Sequence, residues 1–276
     1  MNFVKRRGSS TAKMTVTNFE AVKEQFLIDV NAVVEMEDIP PELILNWDQT
    51  GISIVPGSTW TMEAKGSKRV EIVGTSDKRQ ITAVFCGALT GEFLPPQLIY
   101  QGKTPACLPR YKFPNDWHVT YTPNHWSNED KMKEYIEFNI IPYVDGKRSE
   151  LNLQSDQPVL AIFDVFKGQQ TEDIMQLLDE HNIHVVSVPA NCTDRLQPMD
   201  LSVNKSVKEF MRSKFRDWYS AQVQDQLDEG EEISPVDLKM STMKPLGARW
   251  LVSLYDYLRE NNSIIENGFK AAGILS

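Results

Sequence analysis

No stretch of this sequence is apolar for long enough to cross a bilayer. The most apolar runs, Pro158–Phe163 and Ile183–Pro189, hold six and seven residues, against the roughly 20 that a membrane-spanning helix needs. The first residues are polar and basic and lack the apolar stretch of a secretory signal. Cysteine is scarce too. Cys86, Cys107 and Cys192 form no C-x-x-C pair and no disulfide framework, which argues against a structural zinc module and for a reducing compartment. The expectation is a soluble, intracellular protein with no membrane partner. An excess of positive charge is also missing. With 38 acidic residues against 29 Lys and Arg, the formal net charge is −9, the wrong sign for a surface that grips polyanions everywhere.

What basic charge there is comes in two groups. Lys65, Lys68, Arg69, Lys78 and Arg79 form one, and Lys205, Lys208, Arg212 and Arg216 step through the other at helical spacing. Each alone reads as a solvated face; together they are candidate DNA contacts. At 276 residues with 41% hydrophobic content the chain can bury a real core.

Apolar periodicity outlines the elements. Residues 1–17 read as a linker. Asn18 is placed to cap a helix over 18–37 carrying Phe19, Val22, Phe26, Val30 and Val33. Glu42–Trp47 reads as a buried strand that stops at the turn-like Asp48-Gln49-Thr50-Gly51. Gln80–Leu89 and Phe93–Tyr100 read as an antiparallel hairpin, with Pro95-Pro96 putting the second strand near a sheet edge. A helix starts at Ser127 and ends at Pro142, and a polar loop follows. Pro158–Phe163, Glu172–His181 and Ile183–Pro189 then form a parallel β-α-β unit. Gln197-Pro198-Met199-Asp200 opens a helix reaching Gln224, Asp225–Glu232 reads as an acidic loop, and small helices close the chain, one with Leu246, Trp250, Leu251, Leu254 and Leu258 on a face.

In this outline Asp48, Asp164 and Asp200 each lie where a strand ends or a helix begins. Functional groups in open α/β sheets gather at such carboxyl ends. Two or three carboxylates on separate rigid elements suit hard divalent cations such as Mg²⁺, and a pair of such ions supports phosphodiester cleavage or strand transfer without a histidine base. His118 and His125 sit among Trp117, Tyr121 and Trp126, rings that could stack on unpaired bases, although packing is the plainer reading.

Three segments carry a family resemblance. Asn46-Trp47-Asp48-Gln49-Thr50-Gly51, Ile162-Phe163-Asp164, and Leu196-Gln197-Pro198-Met199-Asp200 preceded by Asn191-Cys192-Thr193 resemble the aspartate segments of the pogo and Tigger branch of the Tc1/mariner transposases. The 35 residues between Asp164 and Asp200 also resemble that family's spacing. The resemblance implies an RNase-H-like mixed sheet, hairpin plus parallel β-α-β strands, over 18–224, flanked by helices and followed by a small helical extension over 225–276. It implies a DNA endonuclease and strand transferase in which Asp48, Asp164 and Asp200 hold Mg²⁺, with Mn²⁺ as a substitute. Its partners would be DNA, at element ends and target, and a second copy in a homodimer on DNA, in the nucleus. It further implies that residues 1–17 trail from an upstream helix-turn-helix module. One departure stands out: Val165-Phe166-Lys167 follows Asp164, where the family commonly has Asn-Ala and a nearby His. That favours an alternative, a host protein descended from a transposase that binds DNA without cutting it.

Overall fold

The computed structural model describes residues 16–56, 78–164, 171–230 and 234–274. Lys65, Lys68, Arg69 and Lys167, and the linker reading of residues 1–15, lie outside the described residues.

A six-stranded mixed sheet organises the chain in the order β4-β3-β2-β1-β5-β6. Strand β1 (Ile44–Ser53) pairs antiparallel with β2 (Gln80–Ala88), which pairs antiparallel with β3 (Gln97–Gln101); β3 pairs parallel with β4 (His118–Thr122). On the other side β1 pairs parallel with β5 (Val159–Asp164), and β5 with β6 (Ile183–Val188). Helices cover both faces of the central strands, so these read as unbroken apolar runs: all but the first residue of β2 and the last of β5 are buried. The crossover between β5 and β6 is α4 (Glu172–Glu180), started by Thr171, whose hydroxyl accepts from the Ile174 amide (3.4 Å), and anchored by buried Ile174 and Leu178 one turn apart. Among the described residues no helix is long and apolar enough to cross a membrane.

The remaining helices are α1 (Val16–Met36), α2 (Glu129–Tyr135), α3 (Ile141–Glu150), α5 (Thr193–Leu196), α6 (Asn204–Asp228), α7 (Met240–Glu260) and α8 (Ser263–Ala272). On the expected face of α7, Trp250, Leu251, Leu254 and Leu258 are buried and Leu246 is partly buried against the core.

Several local expectations are corrected. Asp48-Gln49-Thr50-Gly51 is no turn: β1 continues to Ser53 because β2 pairs with it through Ser53↔Gln80, and that ladder overrides the turn propensity of the four residues. The strand after Pro95-Pro96 is next to the sheet edge, near it as expected; the edge itself is β4, a strand that the apolar periodicity does not announce. Asn18 lies inside α1, and the cap of α2 is Asn128, whose side chain accepts from the Lys131 amide, rather than Ser127. Pro142 does not end its helix. A π turn at Ile136–Ile140 precedes it, Pro142 falls in the first turn of α3 where no amide is needed, and the helix runs on to Glu150. Residues 225–228, read as loop, are the last turn of α6.

Candidate active site

Asn46 of β1 lies opposite Ile162 of β5 in a parallel register. Two residues further along each strand stand Asp48 and Asp164, on the same face by the alternation of side chains. The opposite face is fixed by buried Trp47 and Phe163, stacked with ring centroids 4.7 Å apart.

Asp200 reaches this edge on a folded turn. After α5 the chain enters a π turn at Met199–Val203 that leads into α6. Two buried amides clamp this turn to the sheet. Asn46 Nδ2 donates to the Ile162 carbonyl (2.7 Å) while its Oδ1 accepts from the Met199 amide (2.8 Å), and Gln197 Nε2 donates to the Trp47 carbonyl (3.0 Å). Each clamp ties the third-aspartate segment to residues within two positions of Asp48 or Asp164. From the other side α8 closes on the turn at Gly268, where a Cβ would stand 2.4 Å from the Pro198 carbonyl oxygen and 2.6 Å from Ser202 Oγ.

The carboxylates of Asp48 and Asp200 consequently meet. Asn204 Nδ2 donates to Asp48 Oδ2 (2.7 Å) and Asp200 Oδ1 (2.8 Å). Asn204 itself is buried, and its Oδ1 has no partner among the described residues. Asp164 Oδ2 accepts from Thr193 Oγ1 (3.1 Å). Burial, followed by the negative charge of Asp200, pushes the Asp48 carboxyl up to about 7, against hydrogen bonds from the Gln49 backbone and Asn204 that favour its charged form. All three aspartates line one open cleft of about 570 Å³, with His125, Trp126 and Lys208 on its walls.

Among the described residues no three His, Cys, Asp or Glu side chains close on one point as a finished metal cage. The structure brings Asp48 and Asp200 together and sets Asp164 in the same cleft. The donor set fits a hard divalent cation: the oxygens are carboxylates, two of them are held together under one amide, and among the described residues the oxygen of that amide has no partner.

Of the basic residues, Lys208 lines the cleft, whereas Lys205 and Arg216 line a neighbouring groove along α6. Arg212 pairs with Glu209 (2.7 Å). Lys78 is exposed, and the Arg79 guanidinium donates to the Leu238 carbonyl (2.9 Å), tying the start of β2 to the segment before α7. Sequence reasoning gave no role to Asn46, Thr193, Gln197 or Asn204. The signal for Asn204 was its place one helical turn after Asp200.

Residues 78–252 match the family described as DDE superfamily endonuclease, a span that includes Asp164 and Asp200 and begins after Asp48. The human protein "Pogo transposable element with KRAB domain" is 26% identical over 177 residues, 64% of this chain and 27% of that protein. The mouse protein of the same name is 25% identical over 177 residues, 64% of this chain and 28% of its own length. The chain thus spans little more than a quarter of these relatives. Among solved structures, the pre-cleavage Mos1 transpososome superposes with a TM-score of 0.51 at 13% identity, covering 95% of this chain and 68% of that one. The Mos1 transposase paired-end complex with left transposon end gives 0.52 at 12% identity, covering 95% and 67%. At such identities the likeness is one of fold, the RNase-H-like mixed sheet flanked by helices.

Proposed function

The chain belongs to the DDE superfamily endonucleases, and from that premise we propose that its cleft cuts and joins DNA phosphodiester bonds with divalent cations held by Asp48, Asp164 and Asp200. The observation that carries the reading is the meeting of Asp48 and Asp200 under one amide in the cleft that Asp164 also lines. Two carboxylates forced together and partly buried gain most from a cation between or beside them.

Each of this chain's residues then has a task. Asp48 and Asp200 would hold one ion and Asp164 would share in a second, with Mg²⁺ the natural occupant and Mn²⁺ a substitute. Bound there, the ions would supply positive charge to activate an attacking water or 3′-hydroxyl and to steady the leaving oxygen. Asn204 keeps two carboxylates oriented, Thr193 orients the third, and Asn46 and Gln197 fix the turn that carries Asp200. Lys208, which lines the cleft, would meet a phosphate. The DNA would be the ends of a mobile element and its target, handled in the nucleus by a homodimer assembled on DNA.

The test is nicking and joining of labelled DNA by the purified chain in Mg²⁺ and in Mn²⁺. Asp48→Ala, Asp164→Ala and Asp200→Ala proteins that keep their circular dichroism should lose cleavage. Full cleavage by Asp164→Ala would remove the mechanism. DNA binding without nicking by the unaltered chain would select the second reading, a DNA-binding protein that keeps the fold without its chemistry, which the Val165-Phe166-Lys167 sequence after Asp164 favours.

A further inference from the structure

Trp126 is 63% exposed, and it lines the cleft that holds the three aspartates. The other tryptophans among the described residues have ring partners: Trp47 stacks on Phe163, Trp117 packs against Phe113 and Tyr255, and Trp218 meets Trp250. Among the described residues no aromatic ring packs on Trp126. Core packing, the plainer reading of this aromatic segment, therefore accounts for Trp117 and not for Trp126.

The exposed ring is held on a fastened turn. His125, just before it, has φ +59°, a left-handed conformation that costs a residue bearing a Cβ and persists only where its surroundings impose it. Thr122 Oγ1 donates to the Trp126 carbonyl (2.9 Å), and the Trp126 amide donates to Asn124 Oδ1 (3.2 Å). His125 Nδ1 is 3.2 Å from Thr82 Oγ1 on β2. The turn is thus bound to β4 at its start and to β2 at its side. Ser127, the next residue, lines the same cleft, and its Oγ is buried without a partner among the described residues.

A large ring left in water at a polar cleft is not explained by stability, because exposing it forgoes the burial that makes a tryptophan worthwhile in a fold. The cleft offers a flat apolar face on one wall, carboxylates suited to cations in its floor and Lys208 nearby. A ligand matching all three has a flat face and an anionic chain, as a nucleotide does. Bases inside a duplex have both faces covered, so only an unpaired base can lie on the indole. The volume of about 570 Å³ is of the size that holds a small organic group.

We infer that Trp126 is a stacking platform for an unpaired base of the DNA strand whose phosphodiester lies at Asp48, Asp164 and Asp200, so that the site prefers strand ends and opened duplex to fully paired DNA. The inference rests on the nuclease reading above. Its test is binding of the whole chain, in Ca²⁺, to a short duplex bearing an unpaired overhang with 2-aminopurine at its first unpaired position, beside the same duplex with a blunt end. The unaltered chain should quench the 2-aminopurine and bind the overhang more tightly than the blunt end. Trp126→Ala should lose the quench and weaken overhang binding roughly tenfold, with blunt-end binding unchanged, and Trp126→Phe should keep most of both. Because the side chain is exposed, melting temperatures should match the unaltered chain. Equal quench and affinity for Trp126→Ala, with cleavage and DNA binding intact, would overturn the platform alone. Failure to bind either DNA would overturn it together with the nuclease reading. A DNA-free dimer that Trp126→Ala dissolves would assign the ring to a protein contact and also overturn it.

Discussion

The carboxylates of Asp48 and Asp200, one in a central strand of the sheet and the other in a π turn, lie close enough for the single amide nitrogen of Asn204 to donate to both, at 2.7 and 2.8 Å. Burial and the neighbouring charge raise the Asp48 carboxyl from its ordinary 3.8 to about 7. In metal-free protein the folded state therefore keeps a proton that the unfolded chain gives up from about pH 4. Stability falls as pH rises through the interval from about 4 to about 7, and the full penalty is felt above it. A divalent cation competes with that proton and removes the penalty. Thermal melts in chelator should show a melting temperature that declines over this interval relative to Asp48→Asn, and the rise produced by Mg²⁺ or Mn²⁺ should be larger at pH 8 than at pH 5. A difference between the two proteins that stays constant with pH would contradict this coupling.

Asn204 should matter to cations without being indispensable to the fold. Asn204→Ala removes the donor shared by two carboxylates and frees both to reorient; a loss of about 10- to 100-fold in Mn²⁺ affinity is expected, as for other groups that orient metal-binding side chains. Asn204→Asp instead adds a third negative charge beside Asp48 and Asp200. It should lower the melting temperature in chelator and regain it when Mn²⁺ is added. Titration calorimetry together with melts separates these outcomes, and unchanged Mn²⁺ affinity in Asn204→Ala would refute the orienting role.

The parts of this arrangement that were legible in the sequence are those made by local pattern. The run Val159–Asp164 followed by α4 and β6 carries its own periodicity, so Asp164 was placed at a strand end, where it is found. Asp200 was placed at the head of a helix, and it lies in the turn that opens α6. Asp48 was misread because a strand's length depends on its neighbour: β2, beginning 27 residues after Ser53, carries β1 past residues that locally favour a turn. His118–Thr122 is too short to announce itself and becomes a strand by pairing with β3. Pro142 reads as a stop in the sequence because the π turn that accommodates it has no signature in composition. Asn46 and Gln197 were visible as letters in motifs, but a buried amide's task is defined only by what stands opposite it.

Asn46 offers a check on that last point. Its side chain satisfies a carbonyl of β5 and an amide of the Asp200 turn, both buried. Asn46→Ala leaves the two groups unpaired, at roughly 1–3 kcal/mol each. Asn46→Asp can still accept from Met199 but turns a carboxylate oxygen on the Ile162 carbonyl, so it should be no better. Both proteins should unfold at lower denaturant concentration than the unaltered chain. An Asn46→Ala protein of undiminished stability would show that the turn is held by other contacts.

Two helical glycines separate support of the active site from ordinary helix propensity. Alanine is favoured over glycine within a helix by about 1 kcal/mol, so replacement should stabilise wherever there is room. Gly247 in α7 has nothing within 4 Å of the position a Cβ would take, and Gly247→Ala should raise the melting temperature slightly. At Gly268 in α8 the new methyl would stand 2.4 Å from the Pro198 carbonyl oxygen. That atom is backbone and cannot rotate away, so either α8 retreats or the turn carrying Asp200 shifts. Overpacking of this kind costs roughly 1–3 kcal/mol, enough to outweigh the propensity gain and reverse the sign. Displacing Asp200 by even about 1 Å would cost on the order of 100-fold in rate. Gly268→Ala should therefore melt lower and lose far more cleavage than DNA affinity, whereas Gly247→Ala should keep both. If both alanines stabilised and neither slowed cleavage, α8 would be packed beside the active site without holding it in place.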